Sequence, residues 1–179
     1  MYPYIKLITT LFKAKGRAKI NFDEKSVIHC RAGLTDIDVF VELNNARHLS
    51  YMELGRWDFS HRSGFLDLMK KHKWAVAVGG ASVRYRRRIG FLQKFTLTTQ
   101  LVCHDGRWFY FLQETHVKGK ICSSALIKLA TTSKQGLVPA TEVLAAYDKP
   151  CPDFNVPPWV DAWIEAESQR PWPKSEPVA

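Results

Sequence analysis

Apolar positions along the chain change period several times, and each change marks an element. Residues 26–34, with Val27, Ile28 and Cys30, read as a first strand. From residue 44 onward Ala46, Leu49, Met52, Leu54, Trp57 and Phe59 spread around most of a helical circumference, and no proline interrupts them. A helix that is apolar nearly all round is a buried one. Asn44 and Asn45 are both strong N-cap residues, so this helix is expected to start there. Ser63-Gly64 breaks it, Phe65 to Met69 makes a short second helix, and the basic run 70–73 ends that one. Residues 74–85 are strand-like, with Gly79-Gly80 predicting a bulge or a close backbone approach. Residues 95–103 alternate and are rich in β-branched side chains, the mark of a strand with one buried face. Asp105-Gly106 turns the chain into residues 108–117, and Lys118-Gly119-Lys120 turns it again into a last strand over 121–132. There Ile121, Ser123, Ala125, Ile127 and Leu129 share a face.

Strands joined by tight turns form an antiparallel meander, and the nearly apolar helix needs a sheet to cover it. The expected class is α+β, a curved antiparallel sheet wrapped around a central helix. At the N-terminus Ile5, Ile8, Leu11 and Phe12 lie at helical spacing among Lys6, Lys13, Lys15 and Arg17. A basic amphipathic segment of this kind suits peripheral membrane contact, or an arm packed on its own domain or a partner subunit. The packed reading is favoured, because one short pattern carries little weight. After the meander, residues 139–147 read as a short helix, a proline-rich connector follows, and 159–167 form a last amphipathic helix over the domain or a partner. The final residues 171–179 are expected to be loose. These shifts divide the chain into a basic segment 1–20, a central domain 21–135 and a helical, proline-rich extension 136–179.

Composition narrows the classes. A chain of 179 residues with 46% hydrophobic and 24% charged residues suits one folded domain, and no apolar run reaches the roughly 20 residues of a membrane span. Most of the N-terminal positive charges follow the apolar centre, which argues against a secretory signal. The four cysteines, Cys30, Cys103, Cys122 and Cys151, lie far apart, so reduced thiols in a cytoplasmic protein are expected, with neither zinc site nor disulfide framework. A net charge of +9 invites nucleic acid, anionic lipid or a phosphorylated substrate. Trp108, Tyr110 and Phe111 could stack bases, yet they fall within a packed strand, so no nucleic-acid partner is expected. The six histidines show no metal spacing and there is no Gly-x-Ser-x-Gly elbow, so no metal, no other cofactor and no serine hydrolase is expected.

Chemistry concentrates just before the central helix, where Asp36, Asp38 and Glu42 precede a helix N-terminus with unpaired N–H groups. A carboxylate beside free amide donors is hydrolytic equipment. The pattern Asp-x-Asp, then Asn-Asn-Ala-x-x-Leu and a helix, resembles the hotdog-fold acyl-CoA thioesterases. The likeness is to the 4-hydroxybenzoyl-CoA thioesterase branch and to bacterial relatives of thioesterase superfamily member six, over roughly residues 25 to 132. Many relatives carry Gly-His where this chain has Val41-Glu42, and Tyr where it has His48. The resemblance implies hydrolysis of an acyl-CoA thioester, with Asp38 as catalytic carboxylate and the backbone N–H of Asn45 polarising the carbonyl. Asp38 would attack the carbonyl carbon or activate a water; the sequence leaves both open. Glu53, about two turns into the helix, is the alternative carboxylate, because another hotdog branch uses a helix glutamate. Asp36 is expected to support the turn. Glu42 and His48 are candidate pocket residues, and Arg84, Arg86 and Arg87 could meet CoA phosphates, since guanidinium forks match phosphate oxygens. A homodimer or a dimer of dimers is expected, because one hotdog unit leaves a sheet edge and one side of its acyl tunnel open. The competing class is a non-catalytic acyl or lipid binder.

Overall fold

The computed structural model describes residues 4–147 and 154–171; Cys151, most of the proline-rich connector and the tail beyond Pro171 lie outside them. In chain order the elements are α1 (Tyr4–Lys15), β1 (Ser26–Arg31), a 3-10 turn (Leu34–Asp36), α2 (Asn45–Ser63), α3 (Phe65–His72), β2 (Ala75–Tyr85), β3 (Lys94–His104), β4 (Phe109–Val117), β5 (Lys120–Ser133), β6 (Gly136–Val138), α4 (Ala140–Ala145) and α5 (Pro158–Gln169). The sheet runs β1-β3-β4-β5-β2, every pair antiparallel. The strand β6 was not expected from the sequence. It pairs with Thr131, Thr132 and Ser133 of β5, past Leu129 where the pairing with β4 stops. Three residues are too few for alternation to announce a strand.

Curvature lets the sheet enclose α2, whose Met52, Leu54 and Phe59 are buried against Leu97, Leu101, Phe111 and Ile127. The rings of Phe59 and Phe111 meet edge-on at 5.3 Å. Gly55 brings α2 close to the sheet: a Cβ there would lie 2.5 Å from the Thr99 hydroxyl and 2.9 Å from Leu97. Beneath it the buried Gln113 donates to the Met52 carbonyl at 2.7 Å and to Thr99 at 2.8 Å, and accepts from Arg56 at 2.7 Å. A buried amide so fully satisfied costs little and holds one register of helix on sheet.

Neighbouring strand residues face opposite ways, so Tyr110 and Leu126 point away from α2. With Cys103 they build a second, smaller core against Val160 of α5. The ring of Trp108 covers Gly79, where a Cβ would come within 2.4 Å, and the register of β2 slips between Val78 and Gly80. Bulge and close approach therefore coincide at that glycine pair. On the N-terminal side α1 packs along α2 through buried Ala14, Lys6 and, just past the helix, Arg17, which binds the buried Asp58 at 3.0 Å.

Candidate active site

The first strand stops at Arg31, three residues earlier than its apolar pattern predicts, because Asp36 folds the chain back. Its carboxylate accepts from the Gly33 N–H at 2.8 Å, from the Tyr51 hydroxyl at 2.7 Å and from the Lys6 ammonium. Burial alone would raise the Asp36 pKa. The hydrogen bonds from Lys6, Tyr51 and Gly33, with the Lys6 charge, hold it below the usual carboxylate range. From this anchor Ile37 pairs with Leu43, and a tight turn closes between them. Asp38 N–H donates to the Glu42 carbonyl at 2.9 Å and Val41 N–H to the Asp38 carbonyl at 3.0 Å. The Asp38 side chain accepts from the Phe40 N–H at 2.9 Å. Val41 takes a φ of 58° to complete the turn, a conformation that costs a β-branched residue.

Only Leu43 and Asn44 separate this turn from α2. The Asn44 carboxamide caps the helix by accepting from the Ala46 N–H at 2.9 Å. That leaves the Asn45 N–H in the first turn with no acceptor inside the helix, at the end where the helix dipole favours negative charge. From the far edge of the sheet the Tyr85 hydroxyl donates to the Asn45 carbonyl at 3.1 Å. One turn on, the buried His48 ring meets Tyr85 edge-on at 5.2 Å and hydrogen-bonds the Ser123 hydroxyl at 2.9 Å, which in turn lies 2.7 Å from Thr115. Burial pushes the His48 pKa down to about 4, so the ring is neutral near pH 7.

The basic run continues from β2 directly beside this loop. Arg86 and Arg87 hang their amides on the Cys122 carbonyl at 2.7 and 3.1 Å, and their side chains, like that of Arg84, are exposed. Past them Leu43 N–H donates to Ile89 and Glu42 bridges to Gly90, so the arginine segment and the carboxylate turn are neighbouring strands of one small ladder. The Glu42 carboxylate pairs with Arg88 at 3.4 Å.

Of the residues singled out in the sequence, the fold gathers Asp38, Glu42, Asn45, His48 and the segment carrying Arg84, Arg86 and Arg87 at one end of α2. Glu53 stands apart, roughly 12 Å along the helix from Asn45. It lines an apolar cavity of about 410 Å³ with Trp57, Met69, Trp74, Val76 and Phe111, beside the exposed edge strand β2. Asp38 lines neither that cavity nor a second of about 430 Å³ between α1, β1 and α2. Sequence reading missed Tyr85, Ser123 and Thr115. They reach the site from β2, β5 and β4, and nothing in their local pattern distinguishes them from ordinary strand residues.

Comparison with known proteins places this arrangement. Residues 32–164 match the model of the thioesterase-like superfamily. The chain is 26% identical over 175 residues to Protein THEM6 of Drosophila melanogaster, covering 93% of this chain and 88% of that protein. Over 93 residues it is 31% identical to the long-chain acyl-CoA thioesterase FadM of Escherichia coli, covering 51% of this chain and 70% of the relative. The crystal structure of the probable thioesterase YbaW from Escherichia coli superposes with a TM-score of 0.62 at 25% identity, over 69% of this chain and 98% of the other. With a curled antiparallel sheet around a central helix and a family match across most of its length, this chain belongs to the thioesterase-like superfamily and has the hotdog fold.

Proposed function

We propose that this protein hydrolyses an acyl-CoA thioester to a free acid and CoA, using Asp38 and the first-turn amide of Asn45. The observation that carries the reading is the run from the Asp38 turn through the Asn44 cap into α2, which sets a carboxylate on the loop leading into a first-turn N–H that has no acceptor inside the helix. Thioester hydrolysis needs those two groups: a nucleophile or base for the carbonyl carbon, and a donor for the oxygen on which charge develops. In the nucleophilic route an Asp38 oxygen bonds to the carbonyl carbon, the C–S bond breaks and CoA leaves as a thiol once protonated. Water then cleaves the mixed anhydride. In the general-base route Asp38 takes a proton from water as the water oxygen bonds to the carbon; the C–S bond then breaks and the proton passes to the leaving CoA thiolate. Arg84, Arg86 and Arg87 offer phosphate contacts for CoA, and the apolar cavity beside β2 offers a wall for the acyl group. FadM, named as a long-chain acyl-CoA thioesterase, supports the choice of substrate class.

One observation favours a second reading, an acyl or lipid binder without turnover. Glu42 is tied to Arg88 and His48 to Ser123, at positions where many hotdog relatives carry His and Tyr. A panel of acyl-CoAs assayed with a thiol-reactive dye separates the two: thiol release supports the enzyme, and saturable binding without release supports the binder. In the same assay Asp38→Asn keeps an oxygen that can accept from Phe40, so the turn survives while the charge is lost. Turnover is expected to fall on the order of a hundredfold or more, with Glu53→Gln within a few fold of wild type. The reverse pattern would move the catalytic carboxylate to Glu53.

A further inference from the structure

The helix α1 leaves much of its apolar surface exposed while turning a cation inward. A helix packed on a domain normally buries its apolar stripe and exposes its charges. Here Ile5, Ile8 and Phe12, which share a face at spacings of three and four, are 81, 66 and 77% exposed. The side turned inward carries Lys6, which reaches the Asp36 carboxylate and donates to the Tyr51 hydroxyl at 2.9 Å; Leu7 and Ala14 supply its apolar contacts. Just beyond the helix Arg17 binds Asp58, itself 1% exposed. Rotating α1 to hide its stripe would take Lys6 from the buried Asp36 and Arg17 from the buried Asp58, which would then rely on Arg62 alone, and both losses are penalised. The ion pairs therefore lock the apolar stripe outward.

We propose that this stripe seats the protein on the surface of an anionic phospholipid bilayer. Other apolar side chains are exposed as well: Leu34, in the 3-10 turn whose Asp36 holds Lys6, is 75% exposed, and the tip of the carboxylate turn carries Val39 at 89% and Phe40 at 75%. Exposed Lys13 and Lys15 close the last turn of α1 and Lys19 follows, on a chain of net charge +9. Apolar side chains flanked by lysines match the boundary between acyl chains and acidic headgroups. A second copy of the chain is the poorer occupant, because it carries the same net charge of +9 and offers the flanking lysines no net acidic surface. Twelve residues of helix, roughly 18 Å, can lie in that boundary but not cross the bilayer. Among the described residues no helix is long and apolar enough to cross.

This inference stands independently of the hydrolytic reading, since a protein inactive on every thioester would still bind lipid. The test is flotation of the full chain with vesicles of phosphatidylcholine alone and of phosphatidylcholine with a third phosphatidylserine. Wild type is expected to float with the acidic vesicles and to be released as salt rises. The double variant Ile8→Ser, Phe12→Ser keeps every charge and touches only exposed side chains, so its melting temperature should match wild type. Its partitioning onto acidic vesicles should drop at least fivefold. A smaller drop, or wild-type protein that stays off acidic vesicles, overturns the proposal. If the variant instead changes mass by light scattering without any lipid effect, the stripe is a subunit contact and the lipid assignment is wrong.

Discussion

Buried one turn into α2 and hydrogen-bonded to Ser123, His48 is neutral in the folded chain, with its pKa pushed down by burial from 6.5 to about 4. Between those two values the unfolded chain binds a proton that the folded chain refuses. Stability therefore rises with pH across that window and falls as pH drops through it, with a slope of up to about 1.4 kcal/mol per pH unit. Asp36 has the opposite dependence on burial and partners. Its lowered pKa supports the fold above the ordinary carboxylate range and is lost only at more acid pH, below the histidine window. Urea unfolding from pH 7.5 to 4 should show this slope in wild type and a flatter line for His48→Gln. An equal slope in the variant would assign the proton to another group. At the same scale Val41 explains a departure noted in the sequence. Many relatives have glycine there, and the φ of 58° shows why glycine suits the position.

Among the elements, α2 is held to the sheet by contact distances that leave no room. Gly55→Ala would gain about 1 kcal/mol in helix propensity. The added methyl, however, would fall 2.5 Å from Thr99 Oγ1, 2.9 Å from Leu97 and 3.1 Å from the Gln113 amide, all buried. Overpacking of this kind costs roughly 1–3 kcal/mol, and disturbing Gln113 also disturbs its bond to the Met52 carbonyl. Net destabilisation is expected, read as a lower urea midpoint with unchanged slope; a stabilised Gly55→Ala would mean that the helix sits farther from β3 than described. The strand β2 is the counterpart of this crowding. It lies at the sheet edge with Val76 and Val78 45 and 53% exposed and its outer backbone groups open to pairing.

For the whole molecule that edge is the expected seat of a second copy. Pairing β2 with β2 would continue the sheet, cover Val76 and Val78 and close the open side of the cavity that Glu53 lines. We therefore expect a dimer or a dimer of dimers by light scattering at micromolar concentration, and a shift toward monomer for Val76→Lys, Val78→Lys. A monomeric wild type would count against this assembly and would leave the cavity open along β2.

Much of this was legible because it depends on short-range pattern. Residues 95–132 alternate and turn at Asp105-Gly106 and Lys118-Gly119-Lys120, so the meander is encoded in periods of two and in residues suited to tight turns. Asn44 before an apolar helix announces the start of α2, and the Asp-x-Asp before it marks the candidate site. Tertiary structure decided what depends on contacts between distant segments. It turned the apolar stripe of α1 outward, because the cations of Lys6 and Arg17 have carboxylate partners inward. It brought Tyr85, Ser123 and Thr115 to the helix start and gave Glu53, on α2, a cavity that Asp38, in the turn before the helix, does not line. A helical period states which residues share a face; only the neighbours of that face determine whether it points toward the core, the solvent or a partner.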